Sequence, residues 1–158
     1  RLIGEACHMI DLFCFLSGSR IAEATVQGID FAPTSPRRPT DNFSALFRFE
    51  NGDVATLTYC SVGSPAMGKE RVEVLWNDRG AVIDDFRVLR CFGPDGLEEL
   101  CKSVEPDKGH RPMLVSFAQC LLNDTPPPIS HEEIVHVTAV SFQLDRALRE
   151  GGQPTVSQ

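Results

Sequence analysis

Apolar residues recur at helical spacing from the start of the chain, at Ala6, Cys7, Met9, Ile10, Phe13, Cys14 and Leu16. Ser17-Gly18-Ser19 supplies a terminator, so the pattern predicts a mostly buried helix over residues 4–16. Residues 21–31 alternate Ala, Thr, Val and Ile as a strand does, until the Pro-rich stretch 33–40 breaks regular structure. Two β-rich runs, 42–50 and 53–60, then flank Asn51-Gly52, the dipeptide that a type I′ turn favours because both central residues need φ > 0. A two-residue turn there sets Glu50 against Asp53 and puts Phe49/Val54, Phe47/Thr56, Ala45/Thr58 and Phe43/Cys60 on one largely apolar face. The other face, Arg48/Ala55, Leu46/Leu57 and Ser44/Tyr59, is mixed, which predicts a sheet covered on both sides.

Strand patterns continue at 70–76, 80–85, 87–92 and about 98–101, separated by Asn77-Asp78-Arg79-Gly80 and Gly93-Pro94-Asp95-Gly96. The middle of the chain therefore reads as one meandering antiparallel sheet. Met113, Leu114, Phe117, Cys120 and Leu121 form a helical stripe, and Ile134, Val137, Ser141, Leu144 and Leu148 form another after Pro126-Pro127-Pro128. Ser130 with Glu133 is a capping-box start for the last helix, and Gly151-Gly152 is its stop. The order helix, strands, two helices describes an α+β layer in a single domain, with no internal repeat.

A formal net charge of -7 with scattered Lys and Arg argues against a nucleic-acid partner; Arg37-Arg38, in the Pro-rich loop, is the only adjacent basic pair. No apolar run approaches the ~20 residues a membrane helix needs. The six cysteines are dispersed without a C-x-x-C pair, as expected of reduced, buried thiols in a cytoplasmic protein. The chain opens on Arg1 directly into helical sequence, with neither an initiating Met nor a signal peptide, and so reads as a piece of something longer.

The one dense polar cluster in an apolar setting is Glu5, His8 and Asp11, where each carboxylate lies about one turn from the imidazole. A histidine held this way can transfer protons near neutral pH, although the spacing alone is equally met by ordinary ion-pair contacts. A metal at Glu5/His8 or Cys7/Asp11/Cys14 lacks its remaining ligands at recognisable spacing, so none is expected. His110, after Lys108-Gly109 at a predicted helix start, is placed either to meet an anion or substrate or to stand as a solvated cap. His131 and His136 read as exposed or boundary residues of the last helix. No G-x-G-x-x-G unit, phosphate-binding loop or nucleophile elbow occurs, so no dinucleotide cradle is expected in the chain.

The run Gly4-Glu5-Ala6-Cys7-His8-Met9-Ile10-Asp11-Leu12, with Phe15-Leu16-Ser17-Gly18 behind it, resembles the G-x-x-x-H-x-x-D-L helix of the glucose-fructose oxidoreductase/inositol dehydrogenase/rhizopine-catabolism (Gfo/Idh/MocA) family. Residues 42–60, Lys108-Gly109-His110, Pro127-Pro128-Ile129 and Leu148 through Gly152 extend the likeness along nearly the whole chain. The resemblance implies the family's dihydrodipicolinate reductase-like C-terminal fold: an open, mainly antiparallel sheet with helices packed on one face. It further implies a homo-oligomer formed through the sheet face and an N-terminal Rossmann domain, absent here, that binds NAD or NADP. His8 would correspond to the active-site histidine of a dehydrogenase acting on a sugar, sugar derivative or cyclitol, with Glu5 beside it and Asp11 and His110 at the substrate.

Many members carry Asp four residues before this histidine; here Gly4 stands there and Glu5 lies three before, so that either Glu5 takes over as the orienting carboxylate or the chemistry differs. The Gly-Glu-x-Cys-His form is most similar to a branch fused behind a zinc alcohol dehydrogenase-like region. The family's lysine partner, in a Glu-Lys-Pro motif of the Rossmann half, has no counterpart in this sequence. On this reading the chain alone is inactive. Two other readings stay open: a non-catalytic association or ligand-binding module that kept the fold, and a self-sufficient enzyme using Glu5, His8 and Asp11 without a nucleotide.

Overall fold

The computed structural model describes residues 1–31, 35, 36, 38–64 and 66–150, which leaves Arg37 and the predicted Gly151-Gly152 stop outside the described residues. The chain divides into two compact units, the first joining Arg1–Val62 to the chain from Ile129 onward, the second being Gly63–Pro128.

The first unit begins with a π-helical turn, Leu2–Ala6, that runs into helix α1, Cys7–Ser17. Leu2, Ala6 and Ile10 are its fully buried side chains, four residues apart. In an α-helix a spacing of four overshoots one turn. The wider π turn undershoots it, so the two deviations offset and the three residues stay on one line. The expectation of a mostly buried helix is corrected: one face is in the core while Phe15, at 79% exposed, and Leu16 stand in solvent.

Strands β1 (Ile21–Gly28), β2 (Asn42–Phe49) and β3 (Val54–Cys60) form an antiparallel sheet in the order β1-β2-β3. Helix α3, His131–Glu150, contributes Val137, Val140, Leu144 and Ala147 to the same core as Phe43, Ala45, Phe47, Phe49 and Leu57. Phe43 and Phe47 are essentially inaccessible, each burial being worth about 1.5–3 kcal/mol.

The hairpin forms where Asn51-Gly52 predicts it, but with a different register. Gly52 N–H bonds Phe49 O at 3.0 Å and Phe49 N–H bonds Asp53 O at 2.9 Å, so the loop has three residues, Glu50 to Gly52. Only Gly52 takes positive φ, at +93°. Asn51 is not at positive φ, and its side chain bonds at both ends: Oδ1 accepts the Asp53 N–H and Nδ2 donates to Ser17 O. A one-residue slip reverses one strand's faces. Phe43 therefore pairs with Tyr59 and Ala45 with Leu57 on the core side, while Thr56 and Thr58 point outward. That outer face, carrying Ser44, Leu46, Arg48 and Val54, is exposed within the chain, so the predicted cover on both sides is not supplied by these residues.

In the second unit β4 (Arg71–Trp76), β5 (Arg79–Asp84), β6 (Val88–Gly93) and β7 (Gly96–Lys102) form a separate antiparallel meander. The single sheet read from the sequence is thus two among the described residues. The intervening Ser61-Val62-Gly63-Ser64 stretch leaves the strand conformation, and β3 and β4 share no ladder. Between β4 and β5 the two-residue turn that needs φ > 0 twice does occur, at Asn77 (+42°) and Asp78 (+61°). Helix α2, His110–Asn123, follows; of its predicted stripe Cys120 is buried, while Met113, Leu114, Phe117 and Leu121 are exposed. The whole is α+β, antiparallel sheets with helices, as the order of elements predicts.

Candidate functional site

The π turn and α1 carry three of the four residues singled out by sequence. Arg1 O accepts both the Glu5 N–H (2.9 Å) and the Ala6 N–H (3.2 Å), the mixed bonding of a backbone passing between helical forms. Turns of this kind recur at functional sites. Burial of Leu2, Ala6 and Ile10 fixes the rotation of the segment, and His8 and Asp11 consequently face outward, both exposed.

Glu5 is half-buried and engaged from two sides. Arg1 donates to Oε1 at 3.2 Å, and Tyr59 on β3 lies within electrostatic reach of the carboxylate. Tyr59 lies nearly parallel on the Phe43 ring, 5.6 Å between centroids with a 12° interplanar angle. Partial burial pushes its phenol above the usual range, and the Glu5 charge adds to this.

His8 and Asp11 are brought within electrostatic reach, one turn apart. Asp11 also faces Glu133, the first-turn acid of α3. Partial burial of the carboxyl and then the Glu133 charge push Asp11 above the ordinary carboxylate range, while His8 pulls it back. Behind them the Cys14 thiol is pushed up to about 11 by burial, then by Asp11 and Glu133. Glu133 is held by the predicted capping box: its Oε2 accepts the Ser130 N–H at 2.8 Å, and its own N–H bonds Ser130 Oγ at 3.1 Å.

His110 is the exposed first residue of α2, in the other unit, behind Gly109 in the left-handed conformation. His131 opens α3 in solvent. His136 is half-buried, and its Nε2 accepts the Ile21 N–H at 3.0 Å, a structural role.

Sequence reasoning missed the electrostatic pairings of Glu5 with Tyr59 and of Asp11 with Glu133. Each joins residues far apart along the chain and leaves no periodic trace in the sequence. Among the described residues no group of three or more His, Cys, Asp or Glu could hold a metal. Both sheets are antiparallel, and among the described residues no strand leads through a glycine-rich loop into a helix.

A family model described as the GFO/IDH/MocA C-terminal domain matches residues 2–80, the half of the chain containing Glu5, His8, Asp11 and Tyr59. No curated protein matches the sequence. Solved structures share the fold. UDP-N-acetylglucosamine 3-dehydrogenase from Acidithiobacillus ferrooxidans is 20% identical, with TM-score 0.69, covering 89% of this chain and 45% of that one. An oxidoreductase from Agrobacterium radiobacter, solved with NAD+, L-tartaric acid and magnesium, is 15% identical, with TM-score 0.74 and coverages of 97% and 47%. Aldose-aldose oxidoreductase from Caulobacter crescentus, complexed with glycerol, is 18% identical, with TM-score 0.73 and coverages of 96% and 45%. The chain thus spans about half the length of these structures.

Proposed function

From the premise that the chain belongs to the GFO/IDH/MocA C-terminal-domain family, we propose that it is the substrate-binding and oligomerisation part of an NAD(P)-dependent oxidoreductase. Its substrate would be a sugar, sugar derivative or cyclitol, its setting the cytoplasm, and its partner an N-terminal Rossmann domain holding the dinucleotide. The observation that carries this is the family match over residues 2–80 together with His8 standing exposed beside Asp11 on α1. Names of structurally similar proteins point the same way in substrate class, two of them acting on a nucleotide sugar or an aldose.

In this reading the bound nicotinamide supplies the hydride chemistry, and the chain's own residues handle binding and the proton. The exposed imidazole of His8 exchanges a proton with the substrate hydroxyl whose carbon changes oxidation state. Glu5 orients that ring. Asp11 accepts a hydrogen bond from a neighbouring hydroxyl. The outward face of the three-stranded sheet, with exposed Leu46 and Val54 among polar neighbours, is offered to a second copy of the chain.

The test is His8→Ala in the polypeptide that carries both this chain and a nucleotide domain. Turnover of sugar and cyclitol substrates should fall by about 10²-fold or more while dinucleotide binding is retained. Unchanged turnover alongside stable dimers would instead favour the association-module reading.

A further inference from the structure

We infer that Lys108 is a latch for α2: its ammonium, held by the Glu70 carboxylate over the Phe86 ring, sets the direction in which that helix leaves the four-stranded sheet. The device lies within the second unit and is independent of the reading of Glu5, His8 and Asp11.

α2 has no packed face near its start. From His110 to Gln119 none of its side chains is buried, and a helix is ordinarily fixed by burying its apolar stripe. The chain just ahead of α2 therefore has to aim it, and that chain is bonded to the turn between β5 and β6. Ser103 N–H donates to Arg87 O at 2.8 Å, and Asp107 N–H donates to Phe86 O at 2.9 Å. One residue further on, Lys108 Nζ donates to both Glu70 carboxylate oxygens, at 2.8 and 2.7 Å, and stands 5.3 Å from the centroid of the Phe86 ring. Ion pairs open to water fix little, but the Glu70 side chain is only 19% exposed and the contact is two-pronged, with an aromatic face behind it. Lys69 also approaches Glu70, at 3.9 Å, from a more open position.

The turn beneath Lys108 carries a strain for which this contact gives a reason. Asp85 and Phe86 take φ of +50° and +52°, a conformation usually left to Gly or Asn and an outlier for a bulky ring. Such backbone persists where its surroundings over-determine it. Here Asp85 N–H donates to Glu70 O at 2.7 Å, Asp85 Oδ1 accepts the Lys69 N–H at 3.0 Å, and Arg87 N–H closes the turn on Asp84 O at 2.9 Å. The strained turn thus offers its carbonyl to Asp107 and its ring to Lys108. Gly109, at φ +70°, lies between the latch and the helix and is the residue about which α2 turns once the latch opens.

Residual dipolar couplings of the α2 amides, compared with those of β4–β7 in the 158-residue chain, report whether the helix keeps one orientation on the sheet. In the unaltered chain at low salt the two sets should fit one alignment. In Glu70→Gln and in Lys108→Met the α2 couplings should shrink by about two-fold or more, as a released arm reorients on the timescale of loop motion, while the α2 carbon shifts stay helical. The double variant should lose no more than either single one, since both break the same contact. Couplings already averaged in the unaltered chain, undiminished in either single variant, or lost additively in the double overturn the inference. Loss of the helical shifts also overturns it, since the pair would then be an ordinary helix cap. Should a variant fail to fold, a sodium chloride titration of the unaltered chain decides. The α2 couplings should fall as the ion pair is screened while those of β4–β7 hold, and α2 couplings unchanged up to about 1 M, where the screening length is ~3 Å, overturn the latch.

Discussion

His136 of α3 accepts the backbone N–H of Ile21, the first residue of β1, through Nε2 at 3.0 Å. Ile21 is 2% exposed, so the imidazole satisfies an edge donor that the sheet leaves unpaired and ties α3 to the strand it covers. With Nε2 as acceptor, the neutral ring carries its proton on Nδ1, and Arg20, 3.4 Å from Nδ1, is a nearby cation rather than a donor to it. Burial and then Arg20 lower the pKa of His136, with Glu50 opposing.

Because the folded-state pKa lies below the unfolded value of 6.5, this contribution to stability is complete above 6.5 and is lost as pH falls through the folded value. His136→Ala should cost about 1–2 kcal/mol at pH 8, mostly by orphaning the Ile21 N–H, and should flatten the fall in stability below 6.5. Urea unfolding from pH 8 down to 5 checks both; equal pH slopes in the two proteins would remove His136 from the account.

Asp11 carries the opposite sign. Its folded pKa is raised above 3.8, so its charged form is disfavoured on folding, and stability declines as pH rises through the folded value. Asp11→Asn should raise the melting temperature at pH 7, and Glu133→Gln should do so less, since it also gives up part of the capping box. A site that holds two like charges near each other sets stability against chemistry. Calorimetric scans at pH 7 give the answer, and a lowered melting temperature for Asp11→Asn would contradict this account.

With its pKa at about 11 against an ordinary 9.0, the Cys14 thiol has roughly 100-fold less thiolate at pH 8 than an unperturbed cysteine. Iodoacetamide labelling followed by mass spectrometry should find Cys14 lagging by at least that factor in the folded chain and catching up in urea. Labelling at the unfolded rate would show that α1 does not shelter it.

Gly52, at φ +93°, closes the three-residue loop. Gly52→Ala should cost about 1–2 kcal/mol, the strain of placing a side chain at positive φ, although a Cβ there would meet open space. Asn51→Ala should loosen the hairpin by a separate route, because Asn51 binds Ser17 O and Asp53 at once. Amide exchange at Gly52 and Gly18 would separate the two effects, and protection unchanged in Asn51→Ala would mean that the loop holds itself.

The capping box illustrates what a sequence can say about structure. Ser130 and Glu133 are three residues apart, so their reciprocal bonds follow from local geometry and were legible before any fold was known. Ser130→Ala should cost about 1 kcal/mol, with fraying visible in amide exchange over the first turn of α3.

What the sequence by itself determined is what depends on near neighbours: the α+β order of elements, most strand boundaries, the capping box, and the one-turn spacing of His8 and Asp11. It also carried the family likeness. Tertiary structure decided the rest. The hairpin takes a three-residue loop in which only Gly52 has positive φ, and Asn51 bonds Ser17, thirty-four residues away, a contact no local pattern contains. The division into two sheets depended on β3 and β4 forming no ladder, and hydrophobic alternation is the same in one sheet or two. Asp11 acquired Glu133 because folding laid α3 against α1. Such contacts are fixed by the packing of whole faces, where the free energy of burying Leu2, Ile10, Phe43 and Leu144 selects the arrangement and the polar pairs follow it.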